Sequence, residues 1–266
     1  MLRGFYDIHE FHLHWEYRQT DEILHEYLNG WILVALNCNV QDLCIHIEGD
    51  EDSEDDLEMR FPHSLFSSQS LWKLVLEMTF NYESKVILPK SVDLPRLKFM
   101  SLSSFFVEDG DSLNILISSC PILQSLILRD IWIEDGYDMV VNIESNELKH
   151  LGIINNIDKL VCYHYNMANV IRLSTPNLTS FICEDYMIQE YFLDNVSSLI
   201  TADTKILREG EYSSFRYYDL KISEAEKDIL YPKRMMEFIG AFQNITELQF
   251  HHLDSFRNIL SAGQFS

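Results

Sequence analysis

Residues Ser118–Asp130 read "SSCPILQSLILRD". The Cys-Pro pair at the head of this stretch admits four roles: a nucleophile, a metal ligand, a redox switch or a small buried hydrophobe. The ladder behind it decides among them, because it recurs. The pattern L-x-x-L-x-L, with other apolar residues filling some L positions, returns as "IHEFHLH" from Ile8, "VQDLCIH" from Val40, "LWKLVLE" from Leu71, "LKFMSLS" from Leu97, "LQSLILR" from Leu123, "LKHLGII" from Leu148, "LTSFICE" from Leu178 and "ITELQFH" from Ile245. A weaker copy, "LITADTK" from Leu199, keeps only small or polar residues at its later inward positions.

Successive copies from Val40 to Leu178 start 31, 26, 26, 25 and 30 residues apart, at or just beyond the roughly 20–29 of leucine-rich repeats. The x-L-x-L alternation predicts a short strand with one buried face in each copy. Between copies the spacing turns helical. Leu113, Leu116, Ile117 and Cys120 share one helix face, with Asp111 as a capping residue and Pro121 as the stop. After Thr20 a longer stripe runs through Ile23, Leu24, Tyr27, Leu28, Trp31, Ile32, Ala35 and Leu36. Near the end Pro232 is expected at a first helical position ahead of Met235, Phe238, Ile239 and Phe242. The fold expected is an α/β leucine-rich-repeat solenoid, one domain over residues 1–266, with a parallel strand stack on its concave face and helices or irregular segments on its convex face. Residues 206–231, including "REGEYSSFRYYDLK", read as an insertion or an irregular repeat. In this frame Cys120 ends the apolar face of a helix and is expected to be a buried, unreactive thiol.

Composition narrows the partners. With 42 acidic against 20 basic side chains the net charge is −22, which repels phosphate backbones and anionic headgroups, so nucleic acid and membranes are not expected partners. The 47% hydrophobic content supports a sizeable core. The five cysteines are an odd number without a C-x-x-C pair, as expected of reduced thiols, and the N-terminus lacks a signal-peptide pattern. The expected location is cytoplasmic and/or nuclear, where the sequons at Asn177, Asn195 and Asn244 carry no sugar.

No phosphate-binding glycine loop, G-x-S-x-G or H-E-x-x-H occurs, and no enzymatic activity or cofactor is expected. The acidic run Glu48–Glu58 fails as an EF-hand: counted from Asp50, Asp55 stands where the turn glycine belongs and Phe61 where the bidentate glutamate belongs. It reads as a solvated loop, or else a patch for a basic partner. Phe105, Phe106, Trp132, Tyr163, Tyr165, Tyr186, Tyr191 and Phe192 read as core and loop packing.

Several stretches together resemble the plant F-box proteins whose F-box is followed by irregular leucine-rich repeats and a C-terminal FBD region. "GWILVALNCNVQDLCIHI" is similar to the family's helix-then-strand opening, "FPHSLFSSQSLWKLVL" to its Ser-Leu-Phe link, and "LPRLKFMSLSS", "LISSCPILQSLIL", "TPNLTSFICEDY" and "LDNVSSLITADTKI" to its later repeats. The resemblance spans about Phe11 to Leu253. It implies recognition of a protein substrate for an SCF-type ubiquitin ligase, with a Skp-type adaptor docked by the F-box. Here the expectation is that Met1 begins after the F-box and that the FBD region is cut short at Ser266, so that a Skp-type adaptor is a partner only of a longer form. Alternatives are a ligase-independent scaffold or decoy, and a small-molecule sensor.

The register also selects a surface. If positions one, four and six of each copy enter the core, positions three, five and seven form columns about 4.8 Å apart on the concave face. These are Glu10, His12 and His14, then Asp42, Cys44 and His46, then Lys73, Val75 and Glu77, with Arg129, His150, Glu184 and Glu247 further along. If the first two copies, 32 residues apart, are neighbours, the register places His12 beside Cys44 and His14 beside His46. The reading adopted is a polar surface for partner contact, with no metal, because no closely spaced ligand motif supports zinc.

Overall fold

Several of the ladders enter through a turn. In Cys120-Pro121-Ile122-Leu123 the Cys120 carbonyl accepts from the Leu123 amide at 3.1 Å, and Leu94-Pro95-Arg96-Leu97 and Thr175-Pro176-Asn177-Leu178 close in the same way at 3.3 and 3.0 Å. Proline suits the second position of such a turn, since its fixed φ is the one required and its missing N–H is not needed. That is the task of Pro121. Cys120 is 2% exposed, its thiol donates to the Leu116 carbonyl at 3.3 Å, and burial pushes its pKa up to about 12.

The structure is a computed structural model and describes residues 7–16, 24–49, 58–79, 85–107, 110–133, 140–155, 170–186, 190–207, 224–242 and 245–252. Nine strands, one per copy of the ladder, form a single parallel sheet: β1 (Glu10–Glu16), β2 (Asp42–Glu48), β4 (Lys73–Thr79), β6 (Phe99–Val107), β7 (Ser125–Ile133), β9 (His150–Ile154), β11 (Ser180–Tyr186), β13 (Thr201–Leu207) and β14 (Glu247–His252). Spatial order follows chain order, so every connection is a crossover that returns the chain beside the strand it left. The weak copy from Leu199 takes its place as β13, with Ala202 and Thr204 buried.

The carbonyl of the residue just before a strand, or at its threshold, accepts two amides from the next copy. The Gln41 carbonyl takes Trp72 and Lys73 at 2.9 and 3.1 Å, Trp72 takes Lys98 and Phe99, Lys98 takes Gln124 and Ser125, Gln124 takes Lys149 and His150, and the series continues through Lys149, Thr179 and Ile200 to Glu247. Registers align accordingly: Leu43, Leu74, Met100, Leu126, Leu151, Phe181 and Ala202 form one inward row, and Ile45, Leu76, Leu102, Leu128, Ile153, Cys183 and Thr204 the next.

Return segments cover the inward rows. α1 (Leu24–Asn37) buries Leu28, Ile32 and Ala35. Its end carries Asn39 at φ 54°, with the Val40 amide bonded back to the Ala35 carbonyl at 3.2 Å, a left-handed cap that asparagine tolerates. α2 (Gly110–Ser118) buries Leu113, Leu116 and Ile117. α3 (Glu224–Gly240) buries Met235 and Phe238. Elsewhere short strands stand where helices or irregular segments were expected: β3 (Glu58–Arg60) pairs with β5 (Lys85–Ile87), and β8 (Val140–Glu144), β10 (Val170–Ser174) and β12 (Glu190–Asn195) form a second parallel sheet. Val141, Ile143, Ile171 and Leu173 are the buried alternate residues of that sheet. Where the repeats fall into step, stretches as β-branched as "VVNIE" and "VIRLS" pair with each other. A polar clamp joins the layers: buried Asp185 accepts from the Asn155 amide at 3.0 Å and from the Tyr191 hydroxyl.

β6 and β7 each bend at one residue. Ser104 and Asp130 have φ of 57° and 49° and stand opposite each other, between the pairs Ser103–Arg129 and Phe105–Ile131. The alternation changes phase there, so Leu126 and Leu128 are buried before the bend and Ile131 and Ile133 after it.

Three sequence expectations are corrected. Pro232 lies inside α3, which begins at Glu224; the apolar stripe from Met235 marks only part of the helix, and the stretch EAEKD at its start carries no apolar periodicity in the sequence. Asp111 stands in the first turn of α2 rather than ahead of it, where a carboxylate still favours the helix dipole. Glu48 belongs to β2 and Glu58 to β3, while 50–57 lie outside the described residues, as do Ile23, Tyr163, Tyr165 and 208–223 of the expected insertion.

Replacing Leu126 by Asp buries a charge without a partner and is expected to abolish folding, a cost above about 4 kcal/mol, whereas Ser125→Asp should stay within about 0.5 kcal/mol. Urea denaturation with tryptophan fluorescence measures both, and equal midpoints would refute the register. In native protein, an alkylating reagent should label half-buried Cys44 well ahead of Cys120; peptide mapping by mass spectrometry reads the order.

Candidate functional site: the open face of the nine-stranded sheet

The positions left over by the inward rows form the opposite face. Across it run three rows: Glu10, Asp42, Lys73, Phe99, Ser125, His150, Ser180, Thr201 and Glu247; then His12, Cys44, Val75, Ser101, Ile127, Gly152, Ile182, Asp203 and Gln249; then His14, His46, Glu77, Ser103, Arg129, Ile154, Glu184, Lys205 and His251. The columns expected from the repeat are therefore the ones the structure forms. Glu10, His12, His14, Arg129, His150 and Glu247 are exposed, and Cys44, His46, Lys73, Glu77 and Glu184 are half-buried.

Asp42 departs from expectation, being 6% exposed. The Lys73 ammonium donates to its Oδ2 at 2.9 Å and extends over the Phe99 ring, 6.0 Å from the centroid, closing a lid over the carboxylate. The hydrogen bond to Asp42 is the main reason that Lys73 titrates above the ordinary lysine value. The pair's contribution is thus intact below the usual lysine range and is lost only in stronger alkali, as pH passes the raised value. Burial lifts the Cys44 thiol above its usual value, against the opposing pull of Lys73.

Charge is paired along the face. Lys205 bonds Glu184, His251 Nε2 lies 3.3 Å from Asp203, and Gln249 donates to Glu247 at 3.1 Å. At the β1–β2 end, His14 and His46 stack with ring centroids 4.6 Å apart, and Glu48 and Glu77 close around them. The middle row carries apolar side chains at Val75, Ile127 and Ile182, the last at 45% exposure. Nothing in the sequence pattern marks this side chain, because one isoleucine in an outward position is indistinguishable from slack in the repeat. Among the other aromatics, Arg172 stacks over Phe192 at 4.5 Å and Tyr191 belongs to the polar clamp. The cavity between the two sheets, lined by Leu113, Leu128, Ile131, Ile133, Val141, Ile143, Ile153, Asn155 and Ile171, holds about 30 Å³, far below the roughly 300–1,000 Å³ of a ligand site.

A wide, mixed-charge face built on a continuous sheet is what a protein-binding solenoid presents. Comparison with known proteins agrees. The family described as FBD-associated F-box protein At5g56370, LRR repeats, matches residues 28–205, more than half of the 266. The chain belongs to this family. Among Arabidopsis thaliana relatives, F-box/LRR-repeat protein At3g59250 is 28% identical over 76% of this chain and 44% of its own length. The putative F-box/LRR-repeat protein At4g15060 is 30% identical over 70% and 41%, and the putative F-box/FBD/LRR-repeat protein At3g59240 is 32% identical over 61% and 30%. The chain spans less than half the length of each of these relatives. No solved structure matches significantly. The family is one of protein-interaction modules. No described helix is long and apolar enough to cross a membrane.

Lys73→Met strips Asp42 of its cation and is expected to cost about 1–3 kcal/mol. Adding Asp42→Asn should recover most of that loss, and a double-mutant cycle in urea measures the recovery.

Proposed function

We propose that the open face recognises a protein substrate on behalf of an SCF-type ubiquitin ligase, in a protein whose F-box docks a Skp-type adaptor. The observation that carries the reading is the unbroken display of outward side chains across nine in-register strands, in a chain whose family and relatives are F-box proteins with leucine-rich repeats. The net charge of −22 favours a partner surface with basic groups, which would meet Glu10, Glu77 and Glu247, while Arg129 and His150 provide sites for its carboxylates. The adaptor docks through the F-box and the substrate through the repeats, so the two functions separate. Action in the cytoplasm or nucleus, where such ligases work, is part of the same proposal.

The combined variant Arg129→Glu, His150→Glu, Glu247→Lys should keep the wild-type melting temperature and bind the partner at least tenfold more weakly, about 1.4 kcal/mol. Asp55→Lys with Asp56→Lys, in the acidic run, should bind normally. Quantitative affinity enrichment from plant extract with each variant measures the pattern, and loss only with the acidic-run variant would refute the face. Ubiquitin transfer to that partner by an F-box-bearing form with its adaptor tests the ligase half; binding without transfer would identify a scaffold.

A further inference from the structure

Two histidines and a glutamate meet at the β1–β2 end of the open face. His14 and His46 are register partners on neighbouring strands, and Glu48 lies two residues beyond His46, on the same face. The His14 Nε2 atom is 3.6 Å from Glu48 Oε2, and the His46 Nε2 atom is 2.9 Å from Glu48 Oε1. One nitrogen from each ring and one carboxylate oxygen all lie within 4.8 Å of one another. A tetrahedral ion with bonds of about 2.0–2.1 Å needs its ligand atoms roughly 3.3–3.4 Å apart. The two nitrogen–oxygen separations, each to a different oxygen of Glu48, bracket that value, and with all the ligand atoms within 4.8 Å side-chain rotation alone is enough to seat an ion.

A second observation concerns the outer atom of the same ring. His46 Nδ1 is 3.1 Å from Glu77 Oε2, on β4. The ring is thus flanked by carboxylates at both nitrogens, Glu48 at Nε2 and Glu77 at Nδ1; an ion that takes Nε2 displaces any proton there and leaves the Nδ1 proton to be donated to Glu77. Metal-binding imidazoles are oriented by this arrangement, in which the second nitrogen donates to a carboxylate. Three neighbouring strands thus supply two nitrogen ligands, one oxygen ligand and the carboxylate that accepts the Nδ1 proton.

We propose that His14, His46 and Glu48 bind a divalent transition-metal ion of the zinc class, with Glu77 orienting His46. Two imidazoles select against magnesium and calcium, which take oxygen ligands. With three protein ligands on an exposed face, the fourth position opens to solvent, where water or a donor atom of a bound protein completes the shell. Among the described strands β1 stands at the end of the sheet with β2 as its neighbour, so the ion also ties this terminal strand to β2. This site is independent of the ligase reading: it requires no adaptor and no identified substrate.

The test uses the full chain without a histidine tag, and zinc ions alone as the probe. Calorimetric titration should show one ion per chain, and cobalt substitution should give the visible absorption of a tetrahedral nitrogen–oxygen site. Zinc should raise the melting temperature of the wild type. His14→Ala and His46→Ala, both on partly exposed positions, should retain the metal-free melting temperature and lose the zinc response. Glu77→Gln should weaken binding 10- to 100-fold while leaving all three ligands in place. Failure of the wild type to take up zinc in micromolar solution, or uptake with unchanged affinity by the His14→Ala/His46→Ala double variant, overturns the proposal. Unchanged affinity in Glu77→Gln removes the orienting role.

Discussion

A single main-chain carbonyl shared by two amides of the following copy is the constraint on which the remaining structure rests. It recurs from His9 to Ile200 and forces each strand to start level with the one before. Once the start is level, alternation does the rest: every inward residue meets its counterpart in a continuous row, and every outward residue acquires a fixed neighbour. The drifting lengths of the return segments do not disturb this, because the shared carbonyl, and turns such as Cys120-Pro121-Ile122-Leu123 ahead of several strands, reset the chain. Repeat length is free to vary, whereas strand phase is not.

That division explains what was legible in the sequence. The nine strands, their register and the adjacency of His14 with His46 followed from L-x-x-L-x-L, because burial of one face writes itself into a period of two. Short return strands such as Val140–Glu144 were not legible: five residues between copies, three of them β-branched, look alike whether they pair or run as coil, and only the fall of one repeat beside the next decides. The stretch EAEKD at the start of α3 was hidden because it lacks apolar periodicity. Asp42 was read as a surface charge since nothing local in the sequence announces that a lysine from the next copy will cover it. Asp185 escaped notice for a related reason, its partners Asn155 and Tyr191 coming from segments on either side.

The open face is correspondingly heterogeneous. Ion pairs at Asp42–Lys73 and Glu184–Lys205 hold some side chains down, Ile127, Ile154 and Ile182 provide apolar ground, and the histidines gather at one end. Such a surface gains specificity from the positions of its few protruding groups more than from total area, since paired charges return little on contact. Because the chain matches the repeat part of the family, this face belongs to the family's repeat architecture, and apart from anchoring pairs such as Asp42–Lys73 its chemistry is set by residues outside the buried rows.

The opposed bends at Ser104 and Asp130 have a further implication. A bulge in one strand of a parallel ladder costs the hydrogen bonds beside it unless the neighbour bends at the same level. Here both do, and the sheet continues beyond them in step from Phe105–Ile131 to Val107–Ile133. The two repeats therefore share one length defect between them. Gain or loss of a residue in either strand alone would throw Ile131 or its partners onto the wrong face, so these two copies are bound to change length together, a coupling through the backbone ladder between segments 26 residues apart.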